Sequence, residues 1–254
     1  MPRIDQYSVA ARPIEMFFEQ TYLSLGTAFV WKEDSQYFLI TNWHNLSGKD
    51  PRTGQHLSPT HAEPNKVRAW WNVQGNLGAK ISTMIPLRSA EGQPLWWVHP
   101  TYGRQVDVVA LPIAPPPGTD VHAINEMPTL NLQIEVGQDV FILGYPFGIG
   151  PAGFPIWKRA SLASEPEVIE ASDPHMLVDT ASRPGMSGSP VIRKSWNTHQ
   201  LDTGDVSMGS GSAYRFIGVY SGRLAANDQT DAQLGMVWPV TLLAEIIAGA
   251  HVDA

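Results

Sequence analysis

Short apolar or alternating segments, separated by turn clusters, run through nearly the whole chain, and that rhythm limits what it can fold into. Stretches rich in Val, Ile, Thr and aromatic residues fall at 25–31, 37–41, 67–73, 80–86, 94–99, 106–112 and 139–143. They continue at 157–163, 176–179, 190–193, 216–221 and 234–238. Each has strand length, and no strand–helix–strand alternation links them. The expectation is an all-β chain of about a dozen strands. Residues 240–250 depart from the pattern. There Leu242, Leu243, Ile246 and Ile247 form one apolar stripe at helical spacing, behind Pro239 at a helix start. A weaker helix or turn is expected over 13–20. The turn chemistry agrees: 22 Gly and 21 Pro make up about 17% of the chain, against about 12% in average usage.

The run Ala114-Pro115-Pro116-Pro117-Gly118 is the stiffest non-helical stretch and lies near the middle. It divides the chain into an expected N-terminal half, 1–114, and a C-terminal half, 115–254, that ends in the helix. Residues 49–65 and 194–214 read as long polar loops, and 144–155 as a Gly- and Pro-rich one. With 254 residues, 43% of them hydrophobic, a sizeable core can be buried. The net charge of −7 argues against a duplex nucleic-acid binder, which needs a basic face for phosphates. No apolar run approaches membrane-spanning length and no signal-peptide core is present, so a soluble cytoplasmic chain without membrane partners is expected. The absence of cysteine removes disulfides, thiolate metal sites and thiol nucleophiles together.

Three local features remain as carriers of chemistry. In Gly185-Met186-Ser187-Gly188-Ser189-Pro190, two glycines flank a serine in a turn entering an apolar strand. A nucleophilic serine needs that setting, because its hydroxyl must be exposed and neighbouring N–H groups must converge on one point. Taken alone, the motif is equally a plain glycine-rich turn. In Leu39-Ile40-Thr41-Asn42-Trp43-His44-Asn45, a lone histidine follows an apolar strand. It reads as a capping histidine or as a general base near neutral pH. In Val106-Asp107-Val108-Val109-Ala110-Leu111, a carboxylate sits in an apolar run, either at a solvent-facing strand start or paired with a partner. Such a carboxylate can fix an imidazole's tautomer. The order His44, Asp107, Ser187, with the proline link between the last two, separates these alternatives.

With these blocks in that order, the chain resembles the trypsin-like serine peptidases of the chymotrypsin superfamily. It is most similar to disulfide-free bacterial members such as HtrA protease domains and glutamyl endopeptidases. Leu25-Gly26-Thr27-Ala28-Phe29-Val30, Thr41-Asn42-Trp43-His44, Asp107-Val108-Val109-Ala110-Leu111, Gly144-Tyr145-Pro146-Phe147-Gly148, the Ser187 turn and Phe216-Ile217-Gly218-Val219-Tyr220-Ser221-Gly222 each look like family blocks. The resemblance implies two six-stranded antiparallel barrels, closed by a C-terminal helix. It implies that Ser187 attacks a peptide carbonyl, His44 moves the proton and Asp107 orients His44. The N–H groups of Gly185 and Ser187 would hold the oxyanion. No metal and no cofactor would be required, and the partner would be a polypeptide substrate. Ala181 and Ser182 would lie at the base and wall of the specificity pocket, with Ser221, Gly222 and Arg223 on its far side. Without a carboxylate at Ala181, a small or medium apolar side chain is expected there, with attraction of an acidic one by Arg223 as the alternative.

Met186 departs from the family pattern. Digestive members carry Asp before the serine, to bind an N-terminus freed by processing. Its replacement leaves activity constitutive, or gated by a loop or a regulatory protein partner. Among other classes, a catalytically silent peptidase-fold module stays open. An α/β-hydrolase esterase using Ser187, Asp202 or Asp205, and His251 lacks its strand–helix alternation. A metallohydrolase lacks ligand spacing among His56, His61, His99 and His122.

Overall fold

Turn residues cut the chain where the sequence expects, and the segments between them pair in two groups. A computed structural model describes residues 4–168, 174–223 and 233–253. The first group comprises β1 (Ala11–Phe18), β2 (Thr21–Glu33), β3 (Gln36–Thr41), β4 (Lys66–Val73), β5 (Asn76–Pro86), β6 (Trp97–Val98), β7 (Val109–Ile113) and β8 (Thr119–Asp120). The second comprises β9 (Asp139–Gly144), β10 (Ile156–Leu162), β11 (Met176–Asp179), β12 (Pro190–Gln200), β13 (Val206–Arg223) and β14 (Leu234–Pro239). A short helix, α1 (Trp43–Ser47), follows β3, and α2 (Val240–Gly249) leads to a last strand, β15 (His251–Val252).

The second group closes into a six-stranded barrel in the order β10-β11-β14-β13-β12-β9. The first forms a sheet in the order β15-β6-β7-β3-β2-β1-β4-β5, with β8 paired to β4. Its six longer strands run from β7 to β5; β6, β8 and β15 have two residues each. The strand pairings within both groups are antiparallel. The all-β expectation, two antiparallel sheets with a C-terminal helix, holds.

Alternation places the cores. In the N-terminal sheet Ile14, Met16, Leu39, Val67, Trp71 and Trp96 face inward; in the barrel Val140, Ile142, Val178, Val191, Ile217 and Val237 do. A third cluster, including Phe29, Ile40, Tyr145, Ile192 and Trp238, also takes in the α2 stripe of Leu242, Leu243, Ile246 and Ile247. Among the described residues, no helix is long and apolar enough to cross a membrane.

Three expectations need correction. Residues 13–18 are not a helix or turn, because β1 occupies Ala11–Phe18; only Glu19 and Gln20 form a turn. Pro13 disguised it, yet β4 pairs only with Ile14–Phe17, so the missing N–H lies outside that ladder. Residues 194–214 are not a loop: β12 and β13 continue pairing from Pro190 with Val219 out to Gln200 with Val206. The Ser-, Thr- and Gly-rich composition hid an extended hairpin whose outer part buries Ser195 and His199, polar residues that show no apolar alternation. Finally, Asp107 lies before β7, which begins at Val109, rather than inside a strand.

Candidate active site

Local backbone chemistry positions the histidine. Asn42 has extended backbone at the start of α1, and its side-chain amide donates to the Asp107 carbonyl at 2.6 Å instead of capping the helix. His44 therefore enters the first turn of α1 against Asp107. Its backbone N–H donates to Asp107 Oδ1 at 2.9 Å, and its Nδ1 lies 2.6 Å from Oδ2. A carboxylate can only accept, so Nδ1 carries the proton and Nε2 is left with a free lone pair.

The Asp107 side chain is only 2% exposed. Its burial is compensated by the two His44 N–H groups and by the Ser221 hydroxyl, which donates to Oδ2. Burial works to lower the His44 pKa. The Asp107 charge and hydrogen bond, helped by Asp50, outweigh it and hold His44 above its ordinary value.

Ser187 faces His44 across a cleft of 460 Å³ that both residues line, together with Leu23, Leu25, Leu57, Pro59 and Pro184. Its turn tolerates nothing larger than glycine at positions 185 and 188. A methyl group at Gly185 (φ +92°) would lie 2.2 Å from Leu25 Cδ1 and 2.4 Å from the Tyr145 carbonyl oxygen. One at Gly188 (φ +86°) would lie 2.1 Å from the Thr27 carbonyl oxygen. Strand β2 staples this turn. Thr27 N–H donates to the Ser187 carbonyl at 2.8 Å, and Thr27 Oγ1 donates to the Gly185 carbonyl at 2.7 Å. Asn45 Nδ2 adds a longer bond of 3.3 Å to the Ser187 carbonyl.

Two peptide planes decide where the flanking N–H groups point. The Pro184 carbonyl accepts from Phe147 N–H at 2.8 Å, and the Met186 carbonyl accepts from Ser189 N–H at 3.1 Å. In a trans peptide the N–H points away from its carbonyl. The Gly185 and Ser187 N–H groups are thus turned away from those partners, and neither donates a hydrogen bond among the described residues.

Gly222 (φ +94°) closes against the serine, since a methyl group there would lie 3.5 Å from Ser187 Oγ. Ala181 and Ser182 are half-buried between β11 and the Ser187 turn, and Arg223 is the last residue of β13. Ser221 spends its hydroxyl on Asp107. Met186 is buried among Val140, Ile142 and Val191, so an apolar side chain fills the place before the serine. The esterase alternative loses its histidine: His251 is exposed and paired with Val98, while Asp202 meets Arg215 at 3.3 Å. The staples from Thr27 and Phe147 escaped the sequence. Their only signal was that Gly26-Thr27 and Pro146-Phe147 sit in blocks resembling family blocks.

The family model for the trypsin-like peptidase domain matches residues 26–198. No curated protein matches the chain. Among solved structures, it is similar to a serine endoprotease from Yersinia pestis, at 12% identity and a TM-score of 0.53, over 95% of this chain and 62% of that one. It is also similar to AL20, a thermostable serine protease from an extremophilic microorganism, at 11% identity and a TM-score of 0.53, over 96% and 98% of the two chains. A third, the protease Anisep from Arthrobacter nicotinovorans, gives 12% identity and a TM-score of 0.50, over 95% and 96%. At these identities the likeness is one of fold, and the chain spans 62% of the length of the Yersinia pestis protein. With the family model matched over most of its length, the chain belongs to the trypsin-like peptidase family.

Proposed function

We propose that the protein is a serine endopeptidase that cleaves polypeptides through an acyl-enzyme on Ser187. In this reading residues 1–114 supply His44 and Asp107, and residues 115–254 supply Ser187. The arrangement that carries it is Asp107 holding two N–H groups of His44 while Ser187 faces the same cleft from a turn in which the Gly185 and Ser187 N–H groups donate to nothing among the described residues.

His44 Nε2 takes the Ser187 proton as Oγ attacks the carbonyl carbon, then delivers that proton to the departing amine. Asp107 keeps the imidazole in the required tautomer and stabilises the imidazolium. The N–H groups of Gly185 and Ser187 receive the oxyanion, each worth about 3–4 kcal/mol. Water then enters on the leaving-group side, and His44 activates it to hydrolyse the ester. Ala181, Ser182, Ser221, Gly222 and Arg223 border the acyl-side pocket, which takes a small or medium apolar side chain.

A fluorophosphonate probe tests this reading directly. The native chain is expected to label and Ser187→Ala is not; labelling that survives in Ser187→Ala would sink the assignment. His44→Ala should abolish peptide hydrolysis, whereas His251→Ala should leave it intact. A native chain that neither labels nor cleaves would instead be a silent module or one held off by a partner.

A further inference from the structure

Beside the catalytic cleft lies a second cavity of 560 Å³, lined by Pro13, Ile14, Leu25, Trp70, Lys80, Tyr145 and Phe147 among others. It shares Leu25 with the catalytic cleft. Leu25 presses against Gly185, and Phe147 donates its N–H to the carbonyl before Gly185. The two cavities therefore meet on the Gly185 flank of Ser187. Ala181, Ser182, Ser221 and Gly222, assigned to the acyl side, line neither of them.

The walls are apolar and aromatic, and they carry one cation, Lys80, and one carboxylate, Glu15. Phe147 is 57% exposed and held at φ 54°, a left-handed backbone uncommon for a bulky residue. Lys80 is half-buried, and its ammonium makes one hydrogen bond among the described residues, to Tyr145 Oη at 3.4 Å. No carboxylate among the described residues pairs with it. Glu15, the acidic residue in the lining, is taken by Arg68 at 3.2 Å.

A second cation lies close enough to repel Lys80. Arg12 is buried over the Trp71 ring at 4.5 Å, and its guanidinium nitrogens have no hydrogen-bond partner among the described residues. Burial, and then the Arg12 charge, bring the Lys80 pKa down to about 8. An ammonium so placed gains from any anion that reaches it.

Resting on the peptidase reading above, we propose that this cavity extends the substrate cleft and receives a carboxylate from the leaving-group side of a polypeptide. Lys80 binds the carboxylate, and the apolar residue beside it packs against Trp70, Leu25 and Phe147. The carboxylate comes from a chain terminus or from an Asp or Glu side chain; the chemistry is the same.

Synthetic peptides test this, with the spacing between the cleaved bond and the carboxylate stepped one residue at a time. One arm pairs the free C-terminal acid with its amide, and the other pairs an internal Glu with Gln. Equilibrium binding to Ser187→Ala reads the cavity without turnover, and KM with the native chain reads it during hydrolysis. At the matching spacing the acid is expected to bind about tenfold tighter than its neutral counterpart, the size of one charge-assisted hydrogen bond. In Lys80→Met that ratio should fall to about one, and Lys80→Arg should restore it. Whichever arm shows the ratio identifies the source of the carboxylate. A ratio of one at every spacing, or one that persists in Lys80→Met, overturns the proposal. Failure of the peptidase reading shows separately, as absent fluorophosphonate labelling of Ser187.

Discussion

His44 and Asp107 illustrate how a single contact sets a pH range. The Asp107 charge and hydrogen bond hold the imidazole above its ordinary pKa against the opposing effect of burial. In the proposed mechanism the base works only when neutral, so kcat/KM should rise with pH along a limb centred above the free value of about 6.5. In Asp107→Asn the surviving activity should titrate at lower pH, and a pH–rate profile of both chains checks this. The same shift has a stability sign. A raised folded pKa adds stability below the unfolded value of about 6.5, and this is lost as pH climbs through the folded value. At the neighbouring strand, Thr27→Val keeps shape but strips the hydroxyl that donates to the Gly185 carbonyl and accepts from Tyr145 N–H. It should lower kcat by at least about tenfold, with a smaller effect on KM, because in the proposed mechanism the oxyanion donors rather than ground-state contacts are disturbed. The residue types and their order were legible because a serine between glycines and a carboxylate in an apolar run are locally unusual. Ser221 on Asp107 and Thr27 on Gly185 were not legible: these contacts join residues 114 and 158 positions apart, and nothing around Ser221 or Thr27 indicates which residue it reaches.

At the scale of elements, pattern was a good guide where one face was buried, except in β1, where Pro13 disguised the strand. Met176–Asp179 occupies its expected strand, and α2 occupies Val240–Gly249 because its apolar stripe is needed in the core. Shortening Leu243 to Ala in that stripe should cost about 2–5 kcal/mol, measured as a fall in urea midpoint. Pattern failed where burial imposed nothing. Outer parts of β12 and β13 expose Trp196, Val206 and Met208, so their sequence shows no alternation to read. The outer hairpin buries His199 and bonds through its backbone to Asn131 and Gln133, but residues 197–211 add no side chain to the three core clusters. Replacing residues 197–211 by a two-residue Asn-Gly turn should leave the melting temperature within a few degrees, as expected for a change under about 1 kcal/mol in a chain this size. A large loss would mean that the hairpin tip supports the barrel.

Across the whole molecule, the end of the described chain returns to the half that carries the histidine. β15 follows the α2 helix but pairs with β6 in the N-terminal sheet, His251 with Val98 and Val252 with Trp97. One residue further, Asp253 Oδ2 accepts from Trp43 Nε1 at 2.7 Å and from Trp96 Nε1 at 3.0 Å. Trp43 precedes His44 on α1 and Trp96 lies in the N-terminal core, so one carboxylate ties the C-terminal strand to both. Nothing in the residues around Asp253 hints at this, since its partners lie 210 and 157 positions away. Removing the carboxylate leaves two mostly buried indole N–H groups without that acceptor, each costing about 1–3 kcal/mol. Asp253→Ala should therefore lower stability by about 2–4 kcal/mol, with an unchanged denaturant slope if the two halves still unfold as one unit. Tryptophan fluorescence and far-ultraviolet circular dichroism should give coincident transitions in the native chain. If Asp253→Ala separates them, with the fluorescence change first, the clasp is what makes the halves cooperate. If the midpoint stays where it is in the native chain, the two indoles find other acceptors and β15 holds the sheet without Asp253.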